Sequence, residues 1–349
     1  MGYAWEEDER ENFNVAGPLH LTAVDWSNFR HRSSVAASLV EGTYILEMDW
    51  QKRRHGGPRA KAPLWWEFFG FKLIQVLVDR EDQSIFGAVY ELKFSSQTGK
   101  SPKQVIAFRG TLMKCKSWSQ DIRLDRHIVQ NTLHNSNRVH DGLQAVQTAV
   151  SKVGAKNVWL TGHSLGSAIA LVVGRNMVLK MGYHLETYLF NPPFASLPIQ
   201  LIKNPKLREG IHFVRTVVKA GVAVAAMSSS AHNNKIVEDD EEFSVLFPWI
   251  PYLFINPSDP ICAGYLEYFQ QWEKMAGAGE IARFAARNSI KSMVWNAMGK
   301  DSKPSHLIPS AYVTMNLKRS PDLETAHKLS QWWRPDSKLD YKLYRLDNV

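Results

Sequence analysis

Cysteine is scarce in this sequence, and long apolar runs are missing. The 349 residues include two cysteines, Cys115 and Cys262, which allow neither a disulfide framework nor the paired spacing of a zinc site. No uncharged apolar run approaches the roughly 18 residues that a membrane-spanning helix needs. We therefore expect neither a disulfide-stapled scaffold nor an integral membrane protein, and we expect no metal or organic cofactor.

No targeting segment is expected at the start of the sequence. The opening residues are MGYAWEEDERENF, an acidic stretch without the apolar core of a secretory signal and without the character of a transit peptide. By elimination, we expect a cytoplasmic protein.

Positive charge is in moderate excess, with a formal net charge of +8. Basic residues at 52–61 stand just ahead of an aromatic group at 65–71. One interpretation is peripheral contact with an anionic membrane surface through residues 52–71. The other is a solvated loop that leads into a core segment, which we favour because surface charge runs are usually solvated. No nucleic-acid-binding motif accompanies the charge, so nucleic acid is not an expected partner.

The composition is that of an ordinary globular protein, with 44% hydrophobic and 22% charged residues. No repeat or low-complexity tract divides the chain. We predict one α/β domain over residues 1–349, with a cap or helical insertions at about 198–245 and 265–303. The acidic run at 238–242 fits a surface loop.

Apolar runs and helical spacing predict the order of elements. The predicted helices are His31–Arg54, Gly142–Val153, a helix after residue 164, Tyr265–Met298 and one within Ser320–Trp333. The predicted strands are Phe71–Asp79, Ile85–Phe94, Lys103–Arg109, a run at 158–160, Leu185–Phe190, Val245–Ile255 and, as the final strand, Ala311–Leu317. This alternation is typical of a mostly parallel central sheet with helices on both faces.

Residues 162–166 form the pattern around which the rest is organised. They spell Gly-His-Ser-Leu-Gly, a G-x-S-x-G motif with an apolar strand before it and an apolar helix after it. This context predicts a nucleophile elbow, a sharp strand-to-helix turn that exposes Ser164. The two glycines meet a steric demand, because side chains there would collide with the neighbouring strand and helix. The N–H groups of the following helix would face negative charge that develops beside the serine.

A serine hydroxyl needs a histidine to take its proton and a carboxylate to orient that histidine. On sheets of this kind the order along the chain is serine, acid, histidine, each after a strand. Asp259 fits the acid position because it follows a strand in a proline-framed turn. Asp240 is the alternative, but it belongs to a charge run with no strand before it.

His306 and His327 follow the acid, and both are candidates for the base. His327 comes after the final predicted strand and His306 comes before it. Because the base must reach the edge of the sheet where the strands end, topology favours His327. His306 remains the alternative if its loop bends back across the site. His184 and His212 precede the acid and are interpreted as structural or surface residues.

Three further pieces of sequence accompany the elbow. They are Val105–Thr111 (VIAFRGT) with Trp118 and Asp121, Val139–Leu143 (VHDGL), and Leu160–Thr161 directly before residue 162. With these motifs the chain resembles the class 3 (fungal-type) lipase family of α/β-hydrolases, and in particular its plant lipase-like members. The resemblance is good over roughly residues 100–195 and looser elsewhere, and the elbow together with F-R-G-T is specific as a pair.

The resemblance implies an α/β-hydrolase fold and a serine carboxylic-ester hydrolase that acts on an acyl lipid or a small ester. It implies that Thr111 and the backbone N–H of Leu165 form the oxyanion hole. It also assigns the acid to Asp259 and the base to His327, which completes a triad with Ser164.

The sequence departs from the family pattern at two motifs, and insertions crowd its second half. Ser167 follows the elbow where the family usually has glycine or alanine, and the turn at Asp259 is Ser-Asp-Pro-Ile instead of the commoner Asp-x-Val-Pro. The resemblance to plant lipase-like proteins leaves a second hypothesis beside the enzyme: a lipase-like interaction module that keeps the fold with little or no turnover.

Overall fold

The computed structural model describes the chain in ranges with gaps between them. These ranges are residues 18, 21, 23–54, 59–61, 65–94, 99–112, 136–194, 242–276 and 307–345. Most of the predicted insertion at 198–245 and the later part of that at 265–303 lie outside them, as do Asp240, His212 and His306. The predictions of one domain over 1–349 and of a cap stay predictions.

Within the described ranges, strands and helices alternate largely as the sequence predicts. In chain order the elements are α1 (Phe29–Gln51), α2 (Trp65–Phe68), β1 (Phe71–Val78), β2 (Ile85–Leu92), β3 (Gln104–Phe108), α3 (Asn137–Val153), β4 (Val158–His163), α4 (Leu165–Met181), β5 (Glu186–Phe190), β6 (Tyr252–Ile255), α5 (Gly264–Ala276), β7 (Ser310–Asn316), α6 (Leu323–His327) and β8 (Leu339–Arg345). Short 3-10 helices occupy Ala155–Asn157 and Leu329–Trp332.

The described strands form one 8-stranded sheet in sequential order from β1 to β8. Strands β3 to β7 run parallel, and the pairs β1–β2, β2–β3 and β7–β8 are antiparallel. The predicted α/β-hydrolase fold, with its mostly parallel central sheet, is confirmed. Because β3 to β7 are parallel, their carboxyl ends meet at one edge, which we call the carboxyl edge.

Helices cover both faces of this sheet, as predicted. On one face, α1 packs on β2 to β5 over a core that includes Trp159 and Tyr188. On the other face, α3 and α4 pack on the sheet over a core that includes Phe108 and Leu160. Helix α4 is apolar around most of its circumference because it is buried both by the sheet and by α3. The strands that end at the carboxyl edge are therefore packed against a hydrophobic core on each face of the sheet.

The aromatic part of the basic–aromatic stretch belongs mainly to the core. Trp66, Phe69 and Phe71 are buried, whereas Phe68 is 47% exposed. This agrees with the interpretation of a loop that leads into a core segment. Peripheral membrane contact through residues 52–71 stays a prediction. In the ranges described, none of the helices has the length and apolar character required to cross a bilayer.

The predicted strand at Val245–Ile255 is wrong over its first part. Residues 242–246 are helical, and β6 covers Tyr252–Ile255 alone. The reason is the pair Pro248 and Pro251, because a proline has no N–H to donate to a strand ladder. The strand begins directly after the second proline.

Ala311–Leu317 is also not the final strand. β8 follows it and pairs antiparallel with β7, with Ser310 opposite Arg345. Its sequence LDYKLYR alternates polar and apolar residues, and Tyr341 and Leu343 remain 40% and 49% exposed. An edge strand with one solvated face lacks the continuous apolar run that revealed the buried strands.

Candidate active site

Ser164 occupies the sharp turn that the sequence predicts. β4 ends at His163 and α4 begins at Leu165, so Ser164 alone joins strand to helix. Its backbone has φ 54° and ψ −126°, and a non-glycine residue held at positive φ costs about 1–3 kcal/mol. The Ser164 N–H donates to the carbonyl of Phe190 at 2.9 Å, which fixes the turn against β5. The serine is partly exposed at the carboxyl edge.

The glycines of the elbow are required by close backbone contacts. A Cβ atom on Gly166 would lie 2.2 Å from the carbonyl oxygen of Phe108, and one on Gly162 would lie 2.3 Å from that of Gly166. No hydrogen bond from the Ser164 side chain caps α4. The first N–H groups of a helix have no partner inside it, so that of Leu165 is suited to face an anion beside the serine.

Asp259 follows β6 and is fully buried at the same edge. Its Oδ2 accepts a hydrogen bond from Asn191 Nδ2 at 2.7 Å and lies 2.8 Å from His327 Nδ1, and its Oδ1 accepts from the Ile261 N–H at 3.0 Å. Burial alone would raise the pKa of this carboxyl group. His327 and the two hydrogen-bond donors outweigh burial and hold the pKa below its ordinary value of 3.8. Asp259 is therefore ionised at neutral pH.

His327 is the last residue of α6 and is buried. Because a carboxylate can only accept, Nδ1 of His327 carries the proton in its hydrogen bond to Asp259. The lone pair of the neutral ring then lies on Nε2, the nitrogen that a base would use. Gln331 braces the backbone on both sides, since its Nε2 donates to the carbonyls of Ala326 at 2.7 Å and Lys328 at 2.8 Å.

His163 lies between the elbow and His327. The two imidazole rings are 4.8 Å apart between centroids, and His163 Nε2 donates to the backbone carbonyl of His327 at 2.8 Å. Its Nδ1 lies 2.9 Å from the Tyr44 hydroxyl. Burial and the nearby His327 lower the pKa of His163 to about 3. His163 is therefore neutral at ordinary pH with both nitrogens engaged, which makes it unsuitable as a general base.

The loop after β3 passes directly beside the serine. A Cβ atom on Gly110 would lie 2.8 Å from Ser164 Cβ, so only glycine allows this approach. Thr111 is the next residue and is exposed. Of the predicted oxyanion residues, Leu165 directly follows the serine at the start of α4, and Thr111 directly follows the glycine that approaches it. Their role as oxyanion donors stays a prediction.

Arg109 of the F-R-G-T motif holds the same loop in place through buried contacts. Its guanidinium is buried, lies 3.4 Å from the Glu47 carboxylate, and donates to the Gly110 carbonyl at 2.6 Å. Glu47 also accepts from the Ile85 N–H at 2.6 Å. The ion pair therefore ties α1 to the beginning of β2 and to the loop beside the serine.

Several supporting residues were not found from the sequence. Asn191, which holds Asp259, directly follows β5 and has φ 46°; its place at the end of a predicted strand was a usable signal. Gln331 had no such signal. Tyr44 and Glu47 also had no such signal in the sequence, because they lie on α1, far from every motif. Within the described ranges, His, Cys, Asp and Glu side chains form no group of three or more that could hold a metal ion.

Comparison with known proteins identifies a matching family and a similar plant protein. The sequence profile of the lipase (class 3) family matches residues 105–193, the region from β3 to just beyond β5. A GDSL esterase/lipase of Arabidopsis thaliana is 42% identical over 349 residues, which covers 97% of this chain and 98% of that protein.

Solved structures of lipases are more distant. A lipase from Rhizopus microsporus var. chinensis is 14% identical with a TM-score of 0.32, over 66% of this chain and 67% of that one. The nonglycosylated LIP2 lipase of Yarrowia lipolytica is 18% identical with a TM-score of 0.31, over 46% of this chain and 58% of that one. The match to the second lipase therefore spans less than two thirds of its length.

Proposed function

Since this chain belongs to the class 3 lipase family and is a carboxylic ester hydrolase, we propose that it cleaves acyl esters, lipid esters among them, through a covalent acyl-enzyme on Ser164. The observation that carries this proposal is the buried His327–Asp259 hydrogen bond of 2.8 Å, at the carboxyl edge that also holds the strained Ser164. In this mechanism His327 is the general base and Asp259 is the acid that orients it.

The first half of the reaction forms the acyl-enzyme. Ser164 Oγ attacks the carbonyl carbon of the ester while His327 Nε2 takes the hydroxyl proton. The negative charge that develops on the carbonyl oxygen is stabilised by the N–H groups of Thr111 and Leu165. The bond to the alcohol oxygen then breaks, and the imidazolium returns its proton to the leaving alcohol.

The second half releases the acid. A water molecule gives a proton to His327 Nε2 and attacks the acyl carbon, and the proton passes to Ser164 Oγ as the carboxylic acid leaves. Asp259 stays ionised throughout, since its pKa is lowered in the folded protein. It keeps the proton of the neutral His327 on Nδ1 and stabilises the imidazolium that forms in each half.

Replacement of two neighbouring serines tests the proposal. Ser164→Ala should lower kcat on p-nitrophenyl esters by about 10⁴- to 10⁶-fold, because removal of a triad member leaves only background catalysis. Ser167→Ala is the matched control: this serine is buried one turn of α4 further on, and its hydroxyl lies 2.7 Å from the Gly162 carbonyl. The control should keep wild-type turnover.

Two results would count against the proposal. Undiminished turnover by Ser164→Ala would show that another residue is the nucleophile. A folded wild-type protein without turnover on any ester tested would favour the lipase-like interaction module.

A further inference from the structure

The Tyr44 hydroxyl connects two parts of the candidate site. Tyr44 belongs to α1, and its Oη accepts a hydrogen bond from the Gly110 N–H at 2.7 Å. The same oxygen lies 2.9 Å from His163 Nδ1. One side chain from a helix on the face of the sheet thus touches both the loop beside Ser164 and the histidine that precedes it.

The two groups at the ends of this series, the Gly110 N–H and the His327 carbonyl, determine which atom donates in each hydrogen bond. The Gly110 N–H can only donate to the Tyr44 oxygen, and the His327 carbonyl can only accept from His163 Nε2. In the neutral ring Nδ1 is therefore unprotonated and accepts the hydrogen bond of the Tyr44 hydroxyl. The proton of the neutral imidazole is then on Nε2, which donates to the His327 carbonyl at 2.8 Å. A carbonyl oxygen can only accept, so the series ends there. Every donor in it meets an acceptor.

This series, from the Gly110 N–H through Tyr44 and His163 to the His327 carbonyl, is named the Tyr44 bridge here. Its first member is adjacent to Thr111, the proposed oxyanion donor. Its last member belongs to the residue proposed as the base. The bridge therefore spans the two sides between which a reacting carbonyl would lie.

We propose that Tyr44 is a positioning residue that holds the oxyanion loop and His327 at a fixed separation. The inference rests on the proposed function, because it assigns Thr111 and His327 their roles there. Small displacements of catalytic groups are costly in rate, about 100-fold for 1 Å. The hydroxyl is the essential part, since the phenyl ring alone cannot accept from Gly110 or donate to His163.

The protein offers a matched control, a tyrosine of β2 whose hydroxyl contacts the same helix. Tyr90 is fully buried, and its hydroxyl lies 3.1 Å from Thr43 Oγ1, the residue next to Tyr44. Tyr44→Phe and Tyr90→Phe each delete one phenolic oxygen that is hydrogen-bonded near α1. Only Tyr44 contacts Gly110 and His163.

Steady-state kinetics with an ester substrate test the proposal. Tyr44→Phe should lower kcat about 10- to 100-fold and change KM by less than about twofold, whereas Tyr90→Phe should keep the wild-type kcat. A boronic acid that forms a tetrahedral adduct with serine should bind Tyr44→Phe more weakly by the same factor as the loss in kcat. Wild-type kcat in folded Tyr44→Phe would overturn the inference, as would equal losses in both variants.

His163→Phe cuts the bridge at its other end and replaces Tyr44→Phe if that variant does not fold. When both fold, the double variant should lose no more than the larger single loss, because residues in one network are not additive. Losses that multiply would overturn the bridge. Ser164→Ala in the same assay separates the two proposals: if it is inactive while Tyr44→Phe is fully active, only the positioning role fails.

Discussion

His163 is buried beside Tyr44, His327 and Asp259, and its protonation is constrained by that burial. Its pKa is 6.5 in a solvated chain and about 3 in the folded protein, lowered by burial and by His327 and partly offset by Asp259. Below pH 6.5 the unfolded chain therefore binds a proton that the folded protein does not bind.

Because of this difference, we expect the protein to become less stable as pH falls. As pH falls from 6.5 toward 3, His163 should contribute a decrease in the free energy of unfolding of up to about 1.4 kcal/mol per pH unit. His163→Gln, which cannot titrate, should show a shallower decrease. Urea unfolding at pH 6.5, 5.5 and 4.5 measures both slopes, and parallel slopes for the two proteins would contradict the prediction.

Asp259 and His327 were predicted from chain order, and their hydrogen bond makes a specific kinetic prediction. Asp259→Asn should lower kcat by about 10⁴-fold with the fold intact, because an amide favours the wrong imidazole tautomer. His327→Ala should be at least as inactive. The comparison variants are Asp240→Asn and His306→Ala, at the alternative acid and base, and both should remain active.

Activity that survives in His327→Ala and disappears in His306→Ala would show that the base is wrongly assigned. Activity that survives in Asp259→Asn and disappears in Asp240→Asn would show that Asp240 is the acid.

At the scale of elements, the sequence predicts best where an element is buried on both sides. β3, β4 and β5 each contain a run of three or four apolar residues and are almost fully buried, and burial on both faces favours such runs. β6 and β8 were harder to predict from the sequence. Two prolines precede β6, and β8 is an edge strand whose polar and apolar residues alternate. The prediction of the candidate triad depended only on which residues follow which strand, so the error at β8 left the position of His327 after β7 unaffected.

The loop after β3 carries the prediction for the oxyanion hole. Thr111→Pro removes one backbone N–H, so it should lower kcat more than it changes KM, since the oxyanion exists only in the transition state. Removal of one such donor typically costs about 10²- to 10³-fold in kcat. A variant with a higher KM and an unchanged kcat would show that Thr111 binds substrate without stabilising the oxyanion.

Thr111→Ala supplies the control for this variant. It shortens the exposed side chain and keeps the N–H, so its kcat should stay near that of the wild type. A loss as large as that of Thr111→Pro would place the effect in the side chain.

At the scale of the whole molecule, the sequence predicted the fold and candidate triad but not the supports around them. Ser164, Asp259 and His327 occupy positions that follow from strand order alone. Tyr44 is 119 residues from His163 along the chain, and its contact depends on how α1 lies across the sheet. Such a contact follows from tertiary packing and has no local pattern. The same holds for Glu47, which reaches Arg109 from the same helix.

We propose above all that Ser164 is an activated nucleophile at the carboxyl edge of the sheet. Reaction with a fluorophosphonate probe, followed by peptide mapping, tests this most directly, because an activated serine hydroxyl attacks the phosphorus of the reagent and keeps a stable covalent label. We expect a single label on the wild-type protein and on Ser167→Ala, located at Ser164, and none on Ser164→Ala. A label on another serine, equal labelling of Ser164→Ala, or an unlabelled folded wild type would contradict it.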